Sequence, residues 1–275
     1  MKYIDMHTHT TASDGVYTPR QLIKYGISKG LQGIAITDHD TVDGIDEGLN
    51  AVISKKDFIV IPGIELSTEY MGKEVHILGY SINYKCENLL STLSFLQKKR
   101  ENRVIEVIAK LQKLQINITY DELIKRFGSS SVGRPHVAEL LITKGYVDTI
   151  EEAFNKYLKK GCVAYVDRYK ITPFEGINLI KQAGGVAVIA HPKLIKNDKI
   201  VTDIIKKGID GIEVYHPEHN TNDQKKFLQI AKDYNLIITA GSDFHRPPTS
   251  KDSHGDLGDK KIPIKNIQDI ITTIK

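Results

Sequence analysis

Tryptophan is missing from this chain of 275 residues, methionine occurs three times and cysteine twice. Cys86 and Cys162 stand far apart and have no CxxC spacing, which excludes a disulfide framework and makes a reducing, cytoplasmic setting the expectation. No run approaches the roughly 20 apolar residues of a membrane helix. The opening "MKYIDMHTHT" has no apolar stretch long enough for a signal peptide. A P-loop, a GxSxG elbow and a catalytic cysteine signature are all lacking, so neither nucleotide-driven chemistry nor a covalent serine or cysteine route is favoured. The chain has no internal repeat and no low-complexity linker. Its net charge of +4 is small for the length. That suits a soluble protein with a mildly anionic substrate and does not by itself argue for nucleic acid.

Ten histidines are present, and their placement carries most of the information. Short apolar runs alternate with amphipathic segments. "YIDMH", "LQGIAITDHD", "FIVIPGIELSTEY", "KEVHILGYSI", "GGVAVIAHP", "DGIEVYHP" and "LIITAGSDFH" read as strands. "TPRQLIKYGISKG" reads as a helix with Thr18 as N-cap, Pro19 at the first helical position and Gly30 at its end. Strands alternating with helices predict an α/β fold with a parallel sheet, open or closed as a barrel. Residues 88–160 differ: "NLLSTLSFLQKKRENRVIEVIAKLQKL", "TYDELIKRFG", "RPHVAELLITKG" and "TIEEAFNKYLKKG" are helical, which predicts a helical insertion.

The strand ends collect one kind of residue: His7, His9 and Asp14; Asp38, His39 and Asp40; Glu65; His76; His191; Glu213 and His216; Asp243 and His245. In a (β/α) barrel the loops after the strands share one face, where active sites lie. Each piece has an ordinary reading. "HTH" could sit on a solvated tail, "TDHD" could be a capping turn, Glu65 a satisfied core carboxylate, His76 a structural histidine, His191 a turn residue and "GSDFH" a loop. Their recurrence at successive strand ends favours metal binding. Crowded imidazoles and carboxylates need a cation to neutralise them, and this donor set suits Zn, Mn or Fe. Glu65 could bridge two metals.

The ordered set "HTHTTASDG", "ITDHDT", "PGIELS", "VHILGY", "GRPHVA", "AHP" and "GSDFH" resembles the PHP (polymerase and histidinol phosphatase) superfamily of metal-dependent phosphoesterases along the whole chain. The resemblance implies a distorted (β/α)7 barrel formed by residues 1–85 and 164–275, with a helical insertion at 86–163 covering the active site. It implies two or three divalent metal ions. His7, His9, Glu65 and Asp243 would hold the first, Glu65, His76 and His191 the second, and Asp14, His39 and His245 the third. "GRPHVA" inside the insertion resembles the bacterial branch that removes phosphate from nucleoside 3',5'-bisphosphates and trims short RNA from its 5' end. The nucleotide or RNA would then meet Arg134 as a bidentate phosphate clamp and His136 beside it. In the ordinary reading, Arg134 caps a helix and pairs with a surface carboxylate. The run Lys98, Lys99, Arg100 and Arg103 could attract a polyanion or form a solvated helix face.

The expected reaction is in-line attack on phosphorus by a metal-activated hydroxide, with His191 or His216 supplying a proton to the leaving alkoxide. His219 is expected at the surface, and His254 in a loop that could line the site. Histidinol phosphate phosphatase is the nearest alternative activity; "GRPH" and Asp14 tilt away from it. A non-catalytic PHP module that binds nucleic acid or a polymerase is an alternative of another class. Such modules commonly lose ligands, which this chain keeps. The sequence leaves the oligomeric state open.

Overall fold

A computed structural model of the chain describes residues 2–54, 57–127, 132–248 and 255–271. The chain divides into two compact units, Met1–Ser91 with Lys170–Lys275, and Thr92–Tyr169.

Eight strands make up the sheet of the larger unit: β1 (Tyr3–Thr8), β2 (Gly33–Ile36), β3 (Ile59–Tyr70), β4 (Lys73–Tyr80), β5 (Val186–Ile189), β6 (Gly211–Tyr215), β7 (Ile237–Ala240) and the two-residue β8 (Ile262–Pro263). Their order is β7-β6-β5-β4-β3-β2-β1-β8. The segment after β7 returns to β1. Phe244 N–H donates to His7 O at 3.3 Å, and His9 N–H donates to Phe244 O at 2.9 Å. The sheet therefore rolls into a nearly closed α/β barrel of seven strands, with β8 added antiparallel on β1. Gly241 permits that closure. A Cβ at this position would lie 2.2 Å from His7 Cβ and 2.6 Å from His7 N, closer than atoms can approach.

Within the seven barrel strands, the parallel sheet expected from strand–helix alternation is interrupted at one strand. β1, β2 and β3 run parallel, as do β5, β6 and β7, but β4 is antiparallel to both β3 and β5. The cause is the connection. Only Met71 and Gly72 join β3 to β4, both with positive φ (50° and 71°), as a two-residue hairpin turn requires. A parallel crossover would need a dozen residues or more.

Around the barrel lie α1 (Pro19–Ser28) and α2 (Ile45–Val52). Thr18 caps α1: its side chain accepts from Gln21 N–H while Gln21 returns to Thr18 N–H. The smaller unit holds most of α3 (Glu87–Lys113), α4 (Tyr120–Phe127), α5 (Arg134–Thr143), α6 (Ile150–Ala153) and a π-helical turn, Phe154–Leu158. Its core follows helical spacing. Val104, Val107, Ile108 and Leu111 of α3 pack with Leu123, Val137, Leu141 and Leu158. The chain then returns to the barrel through α7 (Pro173–Gln182), α8 (Asp198–Lys206), α9 (Thr221–Asp233) and α10 (Gln268–Ile271). Ile4, Met6, Ala35, Ile61, Leu78, Val188 and Ala240 form the barrel's apolar core.

Candidate metal centre

Glu65 is the centre of the site. It is fully buried on β3, and its backbone is fixed by bonds to the loop after β2: Glu65 N–H donates to Asp38 O at 3.1 Å and Asp40 N–H to Glu65 O at 3.0 Å. Five imidazoles surround its carboxylate. Glu65 Oε2 lies 3.2 Å from His7 Nε2, 3.3 Å from His9 Nε2 and 3.0 Å from His39 Nδ1. Glu65 Oε1 lies 2.8 Å from His76 Nδ1 and 3.0 Å from His191 Nε2. Burial alone would raise this carboxyl, but the imidazoles of His39, His7 and His76 outweigh it and hold Glu65 well below the usual carboxylate range.

Asp243 is the second anion. Its Oδ1 is 3.4 Å from His7 Nε2, 3.1 Å from His9 Nε2 and 3.6 Å from His245 Nδ1, and its Oδ2 is 3.4 Å from His216 Nε2. The third anion is Asp14, with Oδ1 3.3 Å from His245 Nε2 and 3.7 Å from His9 Nδ1, and Oδ2 3.9 Å from His39 Nε2. Asp14 is looser than the others; half its side chain is exposed, whereas that of Glu65 is not exposed at all.

These residues fit a cation. His7 Nε2, His9 Nε2, His39 Nδ1 and Glu65 Oε2 are buried and form no hydrogen bond, although they lie within 3.0–3.3 Å of one another's partners. Lone-pair-bearing atoms left unpaired in the interior are costly unless something between them satisfies them all. His7, His9, Glu65 and Asp243 bring one ligand atom each within 4.8 Å of one another, and so do His39, Glu65 and His76, and His9, Asp14, His39 and His245. His191 meets Glu65 on the side of His76.

Backbone geometry serves the same end. His191 and Asp243 both have positive φ, 24° and 52°, a conformation that a non-glycine residue holds only when its surroundings impose it. For His191 the constraint is visible: its backbone N–H donates to Glu213 Oε2 at 2.8 Å. The other oxygen of Glu213, Oε1, lies 3.1 Å from His7 Nδ1. A proton on Nδ1 leaves Nε2 free to bind a metal, the carboxylate–histidine pairing common behind metal ligands.

Sequence reasoning collected Glu213 with the strand-end residues but gave it no role. Its signal was an acid inside the apolar strand "DGIEVYHP". Two further acids hold loops. Asp38 accepts from Thr10 N–H, Thr10 Oγ1 and Ser13 Oγ at 2.6–2.7 Å, which carries the chain towards Asp14. Asp5 accepts from Ser242 N–H at 2.9 Å, Ser242 Oγ at 2.5 Å and Gly258 N–H at 2.9 Å, which fixes the loop bearing Asp243.

Both comparisons of sequence and the match of shape point to one family. Residues 5–166 match the PHP domain model. The chain belongs to the PHP domain family. A 5'-3' exoribonuclease of Haemophilus influenzae is 33% identical over 96% of this chain and 98% of its own length. A 3',5'-nucleoside bisphosphate phosphatase of Chromobacterium violaceum is 31% identical over 90% of this chain and 88% of its own. Among solved structures, a Bifidobacterium adolescentis protein assigned to the metal-dependent phosphoesterases superposes with a TM-score of 0.80 and 29% identity, covering 98% of this chain and 96% of that one. This PHP protein is accordingly a metal-dependent phosphoesterase, a hydrolase with His, Asp and Glu clusters that fit metal. Among the described residues, no helix is long and apolar enough to cross a membrane.

The remaining predicted residues of the PHP chain fall in two places. His216 is buried beside Asp243, and its Nδ1 accepts from Glu218 N–H at 3.2 Å. His219, expected at the surface, is buried instead. Its Nδ1 donates to Val214 O at 2.9 Å and its ring lies 5.0 Å from that of Phe227 of α9, so the turn after β6 folds it inward. Arg134 and His136 lie in the smaller unit, on the first turn of α5. Arg134 donates to Leu158 O at 3.0 Å, with its guanidinium 5.6 Å from the rings of Phe154 and Tyr165. His136 Nδ1 accepts from Gly133 N–H at 3.0 Å. His254 lies outside the described residues.

Proposed function

We propose that the barrel site holds two or three divalent cations, drawn from Mn, Zn and Fe, and hydrolyses a phosphate ester of a nucleoside 3',5'-bisphosphate or of short 5'-phosphorylated RNA. The observation that carries this reading is the convergence of His7, His9, His39 and Glu65 through buried atoms without hydrogen bonds. Support for the substrate comes from the relatives in Haemophilus influenzae and Chromobacterium violaceum, one an exoribonuclease and one a bisphosphate phosphatase.

His7, His9, Glu65 and Asp243 are assigned to the first cation, Glu65, His76 and His191 to the second, and Asp14, His39 and His245 to the third. Bound cations supply water that ionises near pH 7 and charge to offset the phosphoryl oxygens. The protein's own side chains do the remaining work. Glu213 orients His7 and fixes the backbone of His191. His216 accepts at Nδ1, so a neutral ring keeps its proton on Nε2, the nitrogen facing Asp243. That proton suits a leaving alkoxide. His191 is the second candidate, because with Nε2 turned to Glu65 its Nδ1 makes no hydrogen bond within the protein. Arg134 and His136, from the insertion, are assigned to a substrate phosphate, which the guanidinium fork can hold bidentately. We assign the enzyme to the cytoplasm, where nucleotides and RNA are made and turned over.

The test is phosphate release by the manganese-reconstituted protein from adenosine 3',5'-bisphosphate, short 5'-phosphorylated RNA and histidinol phosphate. Turnover of either of the first two supports the reading; turnover of histidinol phosphate alone overturns it. Arg134→Ala should then cut turnover sharply at unchanged metal content. A loss of stability without that cut would reduce Arg134 to a brace for the Leu158 carbonyl.

A further inference from the structure

Charge is unevenly divided between the two units. Thr92–Tyr169 contains 14 Lys and Arg against 9 Asp and Glu, a net of +5, whereas the rest of the chain, with 24 against 25, nets −1. The whole positive balance of the protein therefore resides in the smaller unit.

One face of that unit combines this charge with exposed aromatic rings. Phe95, Lys99 and Arg103 follow one another at a spacing of four along α3, so they share a side of the helix. The segment leading to Tyr169 lies against that side. Arg103 Nε donates to Val166 O at 2.9 Å and Lys110 Nζ to Tyr165 O at 2.5 Å. The rings of Phe95 and Tyr169 meet edge to face with centroids 5.4 Å apart. Both remain open to solvent, Phe95 at 47% and Tyr169 at 50% exposure. Lys99 Nζ sits 5.2 Å from one ring and 5.8 Å from the other. Next to this pair the guanidinium of Arg103 is crowded. Burial, with the nearby charges of Arg134 and Arg168, pushes it down to about 10, and Tyr165 and Asp167 offset this only in part.

Two half-exposed aromatic rings are poor surface residues unless something covers them, and neighbouring cations of one sign repel unless an anion lies between them. A polymer that offers flat rings and a phosphate at every step meets both requirements. Unpaired bases stack on aromatic side chains whatever their sequence, and the backbone follows the positive charge. A duplex would satisfy only the charge, because its bases are already stacked.

The geometry points to a single-stranded RNA-binding face on the smaller unit, with Phe95 and Tyr169 stacking on bases and Lys99 and Arg103 holding the flanking phosphates. It deepens the RNA arm of the proposed function and adds a strand-binding surface whose residues take no part in metal binding. The face distinguishes an oligomer from a mononucleotide: a nucleoside bisphosphate can occupy a hydrolytic site without touching it.

The experiment measures binding of the manganese-loaded protein to a hydrolysis-resistant phosphorothioate oligoribonucleotide of about ten nucleotides, a length within the usual single-strand site range. An abasic strand of the same length and charge is the comparison. The base-bearing strand should bind more tightly than the abasic one. Phe95→Ala and Tyr169→Ala should each weaken the base-bearing strand roughly 5-fold or more and leave the abasic strand unchanged. Tyr169→Phe should restore the binding. Lys99→Gln should weaken both strands and flatten the dependence of affinity on salt. All these variants should release phosphate from adenosine 3',5'-bisphosphate at the rate of the unaltered protein. Equal binding of the two strands by the unaltered protein overturns the proposal, as does a preference for bases that survives both alanine substitutions. Base-dependent binding in a protein that hydrolyses no nucleotide would overturn the proposed function and leave this face standing.

Discussion

Glu213 Oε1 lies 3.1 Å from His7 Nδ1, on the side of the ring away from Glu65. The same carboxylate, through Oε2, accepts from the backbone N–H of His191 at 2.8 Å. Both of its oxygens therefore face donors. Glu213→Gln would turn an N–H2 towards one of them, so the variant should loosen either the His7 ring or the strained His191 backbone. Outer-shell partners of metal-binding histidines typically contribute 10- to 100-fold in metal affinity. A manganese titration should show a loss of roughly that size. Unchanged affinity with a lowered melting temperature would make Glu213 an ordinary buried acid.

Gly241 is predicted to be just as sensitive, for a steric reason. Alanine at this position would bring a Cβ to 2.2 Å from His7 Cβ and 2.6 Å from His7 N, both rigid parts of β1. Either the closure between β7 and β1 opens or His7 moves. Overpacking of this kind costs roughly 1–3 kcal/mol, and more where the neighbour is backbone. Gly241→Ala should lower the melting temperature and the manganese content together. A variant that melts and binds metal like the parent would show that the seam can shift freely.

Protons compete with metal at this site, and the direction can be worked out. Burial opposes charge on His9 and His76, yet the carboxylates beside them push both imidazoles up to about 10. These values lie above the ordinary 6.5. In metal-stripped protein their contribution to stability is therefore complete below pH 6.5 and is lost as pH rises towards 10. Metal needs the same nitrogens without protons, so its affinity should rise over the same interval and loading should release protons. Calorimetric titrations with manganese in buffers of different ionisation enthalpy measure that release. Affinity independent of pH across this window would contradict the ligand assignment to these rings.

Much of the centre was legible in the sequence because its candidate ligands lie within or shortly after apolar strands, and strands that roll into a barrel bring such positions together. The pattern collected His7, His9, Glu65 and Asp243 among the other candidates, and the family resemblance then implied these four as one ligand set. What it could not convey was direction and support. Nothing in "FIVIPGIELSTEY" and "KEVHILGYSI" separates a hairpin from a crossover except the shortness of the Met71–Gly72 link, which fixes β4 as antiparallel. Asp5, Asp38 and Glu213 act through hydrogen bonds to residues 22 to 253 positions away in the chain, and local spacing carries no trace of such partners. His219 shows the converse error: a polar-looking turn "HPEHN" is folded inward by α9.

Asp14 yields the sharpest separation among the cation sites. Its carboxylate is half exposed and sits 3.3–3.9 Å from His245, His9 and His39, whereas Glu65 is wholly buried and reaches five imidazoles at 2.8–3.3 Å. Burial acts to raise the Asp14 carboxyl, but His245, His39 and His9 pull it well below its ordinary value, so it contributes a full negative charge. Asp14→Asn keeps the shape and removes that charge. Elemental analysis of the purified variant should show one cation fewer per chain, with the ligands around Glu65 still loaded. Glu65→Gln, which removes the shared anion, should strip the centre as a whole and abolish phosphate release. If Asp14→Asn were to empty the centre as completely as Glu65→Gln does, the site could not be divided into a firm pair and a weaker third position.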